Sequence, residues 1–291
     1  MSTAASLARA FDQAAPLVRD CDTLFVAAGA GMGVDSGLPD FRGNDGFWRA
    51  YPALRKAGLE FTSIASPAAF VESPERAWGF YGHRLRLYRD TVPNPGFAIL
   101  KRWEESAPNG CSVFTSNVDG QFQKAGFGET LVQECHGSIH HLQCMIPCTT
   151  AIWPANAFEP EIDEQHCVLT SPLPRCPHCG GLARPNILMF GDADWLASRA
   201  QAQAARQAAR LARAQRPLVI EIGAGSAIPS VRRFSELMVR RHDGRLIRIN
   251  PAESDVADSL DVGLPCRGLE ALREIDALLG VRGHPPQPVQ R

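Results

Sequence analysis

The stretch VAAGAGMGVDSGLPDFRG, residues 26–43, decides how the rest of the chain is interpreted. It opens at the end of an apolar run, residues 23–28, that predicts a buried strand. Closely spaced glycines follow, and they let backbone N–H groups approach a phosphate without interference from a Cβ atom. The glycines alone are equally compatible with an ordinary turn, because their spacing is GxGxG and not the usual GxGxxG. Residues 36–43 add a turn, a carboxylate, an aromatic ring and a guanidinium, which a simple connection does not require.

This stretch resembles the signature of the sirtuins, a family of NAD-dependent protein deacylases, whose pattern is close to GAGxSxxSGxPDFRG. One departure is Gly33, where the family usually has Ser. The resemblance implies that NAD contacts two groups of residues here: Gly29, Ala30 and Gly31, and then Asp40, Phe41 and Arg42. It further implies that Phe41 shields the reactive face of the cofactor.

Length and composition restrict the class of protein. The chain has 291 residues, which suits one large domain or one domain with a small module. With 45% hydrophobic and 21% charged residues it is globular rather than disordered. The net charge of -1 argues against a whole-chain attraction to nucleic acid or an anionic membrane.

The cysteines and the N-terminus bear on the compartment. We expect no signal peptide and no membrane span, because no apolar run is long enough. Nine cysteines are an odd number in a chain of this size, which favours reduced thiols over a disulfide scaffold. The sequence therefore predicts a soluble, cytoplasmic protein, and we expect a monomer.

Strands and helices alternate along much of the chain. Apolar runs predict strands at 23–28, 111–115, 131–135, 185–190, 218–222 and 246–249, and helical patterns fall at 3–19, 94–104, 194–214 and 229–241. Polar residues or glycines follow the strands, as in an α/β doubly wound, Rossmann-like parallel sheet whose ligand site lies at the carboxyl ends of the strands.

Two segments interrupt this alternation, so we predict a single catalytic domain, 1–291, with two insertions. A helical insertion covers 44–90, and a small zinc-binding module covers 140–183. The Rossmann-like part comprises 1–43, 91–139 and 184–280.

The module at 140–183 contains two close cysteine pairs. Cys144 and Cys148 form a CxxxC pair, and Cys176 and Cys179 form a CxxC pair followed by two glycines. Such pairs can converge on one tetrahedral Zn²⁺, and four protein ligands predict a structural site rather than a catalytic one. The alternatives are unrelated thiols, or substitution of a ligand by Cys167, His166 or His178. The usual sirtuin module has two CxxC pairs, so the first pair here is one residue longer.

Two motifs carry the catalytic hypothesis. His136 ends an apolar strand, precedes Gly137 and lies eight residues before Cys144. Sirtuins place their catalytic His at the same offset, and the resemblance implies that His136 is the general base. His140 and His141 lack that match and are interpreted as structural.

The segment TSNVDG, residues 115–120, resembles the TQNxD motif of the family. The resemblance implies that Asn117 contacts the nicotinamide ribose and that Asp119 contacts the carboxamide. Ser116 replaces the usual Gln. Taken alone, the segment could equally be a strand-end turn that uses Asn and Asp for its own backbone.

Later motifs complete the resemblance, which runs from about residue 26 to 252. The segment GAGS at 223–226 lies where the family has GTS and implies cofactor contacts from Gly223, Gly225 and Ser226. Asn250 falls near the expected adenosine ribose. The segment RPNILMFGD, residues 184–192, resembles RPxxxxFGE, which borders the acyl-peptide groove, with Asp192 in place of Glu.

Tyr81 and Arg84 bear on the substrate. They resemble the YxxR arrangement of sirtuins that remove negatively charged acyl groups, and three-residue spacing puts both on one helix face. A phenol and a guanidinium can together bind the carboxylate of a succinyl or malonyl group. The alternative is an amphipathic helix with a packed Tyr and a solvated Arg.

The function implied by the resemblance is NAD-dependent deacylation of protein lysine, as a deacetylase or as a desuccinylase or demalonylase. Its products are free lysine, nicotinamide and O-acyl-ADP-ribose. Two alternatives release nicotinamide by other reactions: protein ADP-ribosyl transfer and NAD hydrolysis. A non-catalytic NAD-sensing module and a zinc-ribbon module that binds nucleic acid are the remaining readings. We expect an acyl-lysine protein as the partner, and neither a membrane nor nucleic acid.

Overall fold

The computed structural model describes residues 3–39 and 43–281. Within these residues the helices are α1 (Thr3–Asp20), α2 (Gly31–Val34), α3 (Gly43–Ala50), α4 (Pro52–Lys56), α5 (Phe61–Ile64), α6 (Pro67–Glu72), α7 (Pro74–Asp90), α8 (Pro95–Ser106), α9 (Gln121–Lys124), α10 (Ser198–Leu211), α11 (Ser230–His242) and α12 (Gly268–Val281). The strands are β1 (Thr23–Ala28), β2 (Cys111–Thr115), β3 (Val132–Glu134), β4 (Gly137–Cys144), β5 (Ile152–Pro154), β6 (Ile162–Asp163), β7 (Val168–Leu169), β8 (Ala183–Ile187), β9 (Pro217–Ile222), β10 (Arg245–Ile249) and β11 (Val262–Leu264). No helix in this part of the chain has both the length and the apolar character needed to cross a membrane.

The main sheet has six strands in the order β11-β10-β9-β1-β2-β3. Strand β9 pairs with β1 on one side and β10 on the other, and both pairings are parallel. All residues of β1 and β9 are buried, because a parallel sheet is covered by helices on both faces. The predicted α/β fold with a parallel sheet is therefore confirmed.

The described residues divide into two compact units. The first comprises residues 3–35, 94–113 and 210–281 and contains β1, β9, β10 and β11. In it, α1 packs against α12, α12 packs against α8, and α11 covers β9 and β1. This unit supplies the carboxyl ends of strands β1, β9 and β10.

The second unit comprises residues 36–93 and 114–209 and has an aromatic core around α7. Trp78 and Phe80 of α7 are fully buried in it. Two glycines on this helix allow a hairpin of β6 and β7 to approach closely. A Cβ atom on Gly79 would lie 2.1 Å from the carbonyl oxygen of Cys167, and one on Gly82 would lie 2.9 Å from the Pro160 side chain. The aromatic segment between 44 and 90 is thus a packed helical layer.

Two predicted elements differ in their limits. The strand expected at 185–190 is β8, Ala183–Ile187, and ends earlier because residues 188–192 form a turn held by Asp192, which accepts the backbone N–H of Met189. The helix expected at 194–214 is Ser198–Leu211. It begins late because Gln143 binds the preceding backbone, accepting the N–H of Leu196.

Candidate active site and metal centre

Two glycine turns meet at the carboxyl ends of β1 and β9. A Cβ atom on Gly29 would lie 2.7 Å from the carbonyl oxygen of Gly223, and one on Gly31 would lie 2.5 Å from the Cα atom of Gly223. Gly223 has a φ of +61°, which a residue with a side chain rarely adopts. The result is a surface of bare backbone, which is what close approach to a diphosphate requires.

The second turn is held by Asn250, at the end of β10. Its side-chain Nδ2 donates to the carbonyl oxygen of Ala224 at 2.6 Å, and its Oδ1 accepts the backbone N–H of Ala252. Asn250 is 1% exposed, so its amide is committed to shaping this turn. The ribose contact that the sequence implied for Asn250 stays a prediction.

Glu253 lies against the same turn, and the sequence reasoning did not include it. One carboxylate oxygen accepts the backbone N–H of Ser226 at 2.9 Å, and the other would lie 3.3 Å from a Cβ on Gly225. A signal was available, because dinucleotide-binding folds often place an acidic residue near the ribose after a strand of the sheet.

Two side chains, the buried Asn94 and the half-buried Asp35, hold the first glycine turn from behind. Asn94 donates to the carbonyl oxygen of Met32 at 3.0 Å and also caps α8 by accepting the N–H of Gly96. Asp35 accepts the backbone N–H of Leu269 at the start of α12. These contacts fix the path of the turn.

In the second unit, backbone hydrogen bonds bring the segment 115–119 beside the strands that flank His136. The N–H of Cys135 donates to the carbonyl oxygen of Thr115, and the N–H of Ile139 donates to that of Val118. Ser116, Asn117 and Asp119, predicted from one motif, therefore lie on a loop bonded to both sides of His136, which was predicted from another.

His136 is half-buried, and its chemistry is set by its surroundings. Burial lowers the pKa of the imidazole, while a hydrogen bond to the backbone of Ser116 partly opposes this. A neutral ring that donates one N–H to a carbonyl keeps its other nitrogen as a base. The next residue must be glycine, since a Cβ on Gly137 would lie 2.0 Å from the carbonyl oxygen of Asn186.

Asp119 is 8% exposed. Burial raises the pKa of its carboxyl to about 6, although the backbone N–H of Gln121 opposes the shift by donating to Oδ1 at 3.0 Å. The carbonyl oxygen of Asp119 accepts from His140 Nε2 at 2.9 Å. His140 thus holds the loop from behind, consistent with its structural interpretation.

The four predicted cysteines form one cluster. Their Sγ atoms lie within 4.8 Å of one another, with Cys144 and Cys179 3.7 Å apart and Cys148 and Cys176 also 3.7 Å apart. Zinc–sulfur bonds of about 2.3 Å in a tetrahedron put sulfur atoms about 3.8 Å apart, so the donor set fits Zn²⁺.

The extra residue of the first cysteine pair does not disturb this cluster. Ile146 bulges outward and is 79% exposed. The proposed substitute ligands lie elsewhere, with one exception. Cys167 is buried beneath α7 and His166 bonds Asp163, whereas His178 Nδ1 lies 3.6 Å from Cys148 Sγ.

The segment 184–192 forms a turn closed by a buried ion pair between Arg184 and Asp192. Leu188 and Phe190 remain 39% and 42% exposed at its surface. The N–H of Phe190 donates to the carbonyl oxygen of Ala65, which ties the turn to the helical layer. The result is an apolar edge attached to the helical layer.

Tyr81 and Arg84 are both buried on α7. Arg84 donates through Nε and Nη2 to the hydroxyl of Tyr88 at 3.0 and 2.8 Å, a partner that the sequence reasoning did not include although it lies one helical turn away. Tyr81 stacks on Phe70 with ring centroids 5.6 Å apart. The alternative interpretation, an amphipathic helix with a solvated Arg, does not hold for Arg84, because this side chain is only 8% exposed.

Three predicted cofactor residues, Asp40, Phe41 and Arg42, lie outside the described residues.

Comparison with known proteins agrees with these features. A family model described as the Sir2 family matches residues 29–224. An NAD-dependent protein deacetylase of Caldivirga maquilingensis is 33% identical over 246 residues, 84% of each chain. An NAD-dependent protein deacylase of Aquifex aeolicus is 28% identical over 247 residues, which cover 85% of this chain and 91% of that protein.

Solved structures share the fold. A mutant Sir2 homologue in complex with ADP-ribose has a TM-score of 0.70 at 25% identity and covers 93% of this chain and 97% of its own. A Sir2 homologue in complex with NAD has the same TM-score at 24% identity and shares the fold, covering 93% of this chain and 94% of its own. Because the family model spans well over half of the chain, this protein belongs to the Sir2 family.

Proposed function

We propose that the protein is an NAD-dependent protein lysine deacylase that releases nicotinamide and O-acyl-ADP-ribose. The observation that carries the proposal is the position of His136, a half-buried imidazole bonded to the loop that presents Asn117 and Asp119. Homologues named as NAD-dependent protein deacylases or deacetylases support the same activity.

The residues proposed to hold NAD fall into two groups. In the first, the bare backbone at Gly29, Gly31 and Gly223 receives the diphosphate, with Ala30, Gly225, Ser226 and Asn250 beside it. In the second, Ser116 and Asn117 face the nicotinamide ribose and Asp119 faces the carboxamide. Asp40, Phe41 and Arg42 are proposed contacts by resemblance alone. When bound, NAD would supply an electrophilic ribose carbon, which the acyl oxygen of the substrate attacks as nicotinamide leaves, and a ribose hydroxyl that finally carries the acyl group.

His136 is proposed to act as the general base. Its neutral ring accepts a proton from a ribose hydroxyl, because the nitrogen that faces Ser116 already donates its hydrogen. The zinc held by Cys144, Cys148, Cys176 and Cys179 has four protein ligands, so its role is structural and it takes no part in the reaction.

The substrate is proposed to be an acyl-lysine in a protein segment that lies along the apolar edge formed by Leu188 and Phe190. For the acyl group we propose a preference for negatively charged chains such as succinyl or malonyl. Arg84 lies over the rings of Phe80 and Tyr88, and its hydrogen-bond acceptor Tyr88 is a neutral phenol. A substrate carboxylate would be a stronger, bidentate acceptor for the same guanidinium.

We propose further that the protein acts in the cytoplasm as a monomer. None of the nine cysteines, all of which lie in the described residues, forms a disulfide, as expected in a reducing compartment. We keep the proposed organisation as one catalytic domain with a helical insertion at 44–90 and a zinc module at 140–183.

The test is nicotinamide release by the zinc-loaded protein, supplied with NAD and either acetyl-lysine peptide, succinyl-lysine peptide or no peptide. Release that requires an acyl peptide, with O-acyl-ADP-ribose as a product, is the expected result. Equal release without peptide would contradict deacylation and favour NAD hydrolysis, while ADP-ribose attached to protein would favour ADP-ribosyl transfer.

A further inference from the structure

A carboxylate is buried on a central strand of the main sheet. Glu221 lies on β9, two residues before Gly223, and its side chain is 1% exposed. Arg248 is its neighbour on β10 and donates to it through Nε at 2.8 Å. A buried charge is costly even when it is paired, and apolar residues are usual in strands covered on both faces. Proteins keep such departures mainly at functional sites, so the surroundings of Glu221 are informative.

A second guanidinium, that of Arg232, reaches the same carboxylate. Its Nη2 atom lies 3.2 Å from Glu221 Oε1. Arg232 is in the first turn of α11, where a cation is unfavourable because the helix N-terminus carries a partial positive charge. This first turn contains no acidic residue that would compensate. Local helix preference therefore does not explain Arg232, and its tertiary contacts must.

Those contacts are with the second glycine turn, residues 223–226, and with the segment after β10. Arg232 Nη2 donates to the carbonyl oxygen of Ala224 at 3.2 Å and to that of Glu253 at 2.8 Å. Its Nη1 atom lies 3.9 Å from the Glu253 carboxylate, which in turn accepts the backbone N–H of Ser226. Arg232 thus connects the buried carboxylate of β9 to both segments that shape the turn.

The direction of the Ala224 carbonyl decides what the turn offers to a ligand. Its oxygen accepts two hydrogen bonds, from Asn250 Nδ2 at 2.6 Å and from Arg232, so it is directed towards the protein interior. Because a trans peptide group is planar, the N–H of Gly225 points in the opposite direction. Among the described residues this N–H has no acceptor. It is therefore available to an anion that lies on the turn.

We propose that Arg232 is a positioning residue for the diphosphate of NAD. It holds the peptide group between Ala224 and Gly225 with its N–H outward, which is the orientation that a phosphate oxygen requires. Its charge also offsets that of Glu253, which would otherwise repel a diphosphate at the same turn. Arg232 acts through the turn and does not contact the reacting atoms. This role rests on the proposed function, because without NAD there is no diphosphate to position.

Calorimetric titration of the full-length, zinc-loaded protein with ADP-ribose tests this role. ADP-ribose carries the diphosphate and has no nicotinamide to release. The wild type should bind one molecule per chain, and Arg232→Met should bind it about tenfold more weakly, because Met donates no hydrogen bond to the carbonyl of Ala224. The variant should still fold, since Arg248 continues to neutralise Glu221.

The matched control is Arg233→Met, which changes an exposed cation next to Arg232 on α11 and should leave the affinity unchanged. Steady-state kinetics separates positioning from a general loss of structure. In Arg232→Met the KM for NAD should rise about tenfold, whereas kcat at saturating NAD and the KM for acyl peptide should stay within about twofold of the wild type. A loss confined to kcat, or the same loss of affinity in Arg233→Met, would overturn the role of Arg232.

If Arg232→Met does not fold, Arg232→Lys decides. Lysine keeps the charge beside Glu221, but its side chain ends one bond short of Nη2, so we expect ADP-ribose to bind about threefold more weakly. Wild-type affinity in a folded variant of Arg232 would overturn its role and leave the proposed function intact. Absence of binding by the wild type would instead contradict the proposed use of NAD, and the role of Arg232 with it.

Discussion

Arg184 and Asp192 form a two-point ion pair in which both side chains are 0% exposed, with N···O distances of 2.7 and 2.8 Å. The same carboxylate accepts the backbone N–H groups of Met189 and Asp194. One buried carboxylate thus neutralises a buried guanidinium and shapes the turn that carries Leu188 and Phe190.

Removing this carboxylate charge should be costly. Asp192→Asn leaves the guanidinium of Arg184 buried without a counter-charge, for which we expect a loss of about 3–5 kcal/mol in the free energy of unfolding. Asp192→Glu restores the residue usual in the family and keeps the charge, so its loss should be smaller. Urea denaturation measures both, and a loss below about 1 kcal/mol for Asp192→Asn would contradict the essential role of the pair.

The catalytic activity should decrease at acidic pH. Because burial lowers the pKa of His136, its ring is neutral at pH 7 and becomes protonated only below its ordinary value of 6.5. We expect kcat/KM for acyl peptide to be level at neutral pH and to decline below about pH 6.5. His136→Ala should lower the rate by about 100-fold or more, a typical value for loss of a general base.

The control for that experiment is His166→Ala, which changes an exposed imidazole on the hairpin of β6 and β7. Its profile should match that of the wild type. Full activity in His136→Ala would remove His136 from the role of base.

The buried carboxyl of Asp119 should lower the free energy of unfolding at neutral pH, although the proposed activity requires it. Folding raises the pKa of its carboxyl from 3.8 to about 6, so the folded chain binds the proton more tightly than the unfolded chain. The stabilisation that this tighter proton binding gives the folded chain is therefore fully present below pH 3.8, and it is lost as the pH rises through 6. Asp119→Asn removes this dependence and should raise the free energy of unfolding at pH 8 by up to about 3 kcal/mol, while activity falls.

Denaturation at pH 5 and pH 8 measures the effect, with Asp90→Asn at an exposed position of α7 as the control. The gain should be larger at pH 8 than at pH 5. If Asp119→Asn is instead less stable than the wild type at pH 8, the contacts of the wild-type carboxylate must stabilise the fold by more than its burial costs.

Zinc should be required for the fold of the module. We expect one Zn²⁺ per chain in the purified protein, and we expect Cys176→Ser to lose the metal and to unfold at a lower temperature, because the cluster is closed by four sulfur ligands. Cys21→Ser changes a partly buried thiol of the first unit and should keep the metal. Unchanged zinc content in Cys176→Ser would remove this cysteine from the site.

The acyl preference depends on Arg84. Arg84→Met should lower kcat/KM for a succinyl peptide at least tenfold more than for an acetyl peptide, because only the first offers a carboxylate to the guanidinium. Arg86→Met changes an exposed Arg of the same helix and should affect both peptides equally. Equal losses for both peptides in Arg84→Met would assign Arg84 to packing of α7, and the preference for charged acyl groups would be abandoned.

The sequence was sufficient for those features in which local pattern and chemistry coincide. The apolar run at 23–28 forms a strand, and the glycines that follow it meet a second glycine turn. The four cysteines converge, as their arrangement in two close pairs predicted. Family membership follows from these motifs.

Other features were decided by tertiary contacts that no local pattern contains. Strand β11 and helix α12 were not predicted; β11 has only three residues and forms by pairing in parallel with β10. The pairing of Arg184 with Asp192 depends on the turn that joins them, and the contact of Glu253 with Ser226 joins residues that are far apart in the chain.

The chemistry of single residues is likewise determined partly by the sequence and partly by the tertiary structure. The sequence identified His136 and Asp119 by their motifs, but only burial sets the pKa of each, lowering one and raising the other to about 6. It placed Tyr81 and Arg84 on one helix face, and the same helical spacing brings Arg84 to the hydroxyl of Tyr88, but only the fold buries these side chains. Residue type and spacing thus determine which groups are available, whereas desolvation and long-range packing determine the charge each group carries and the partner it meets.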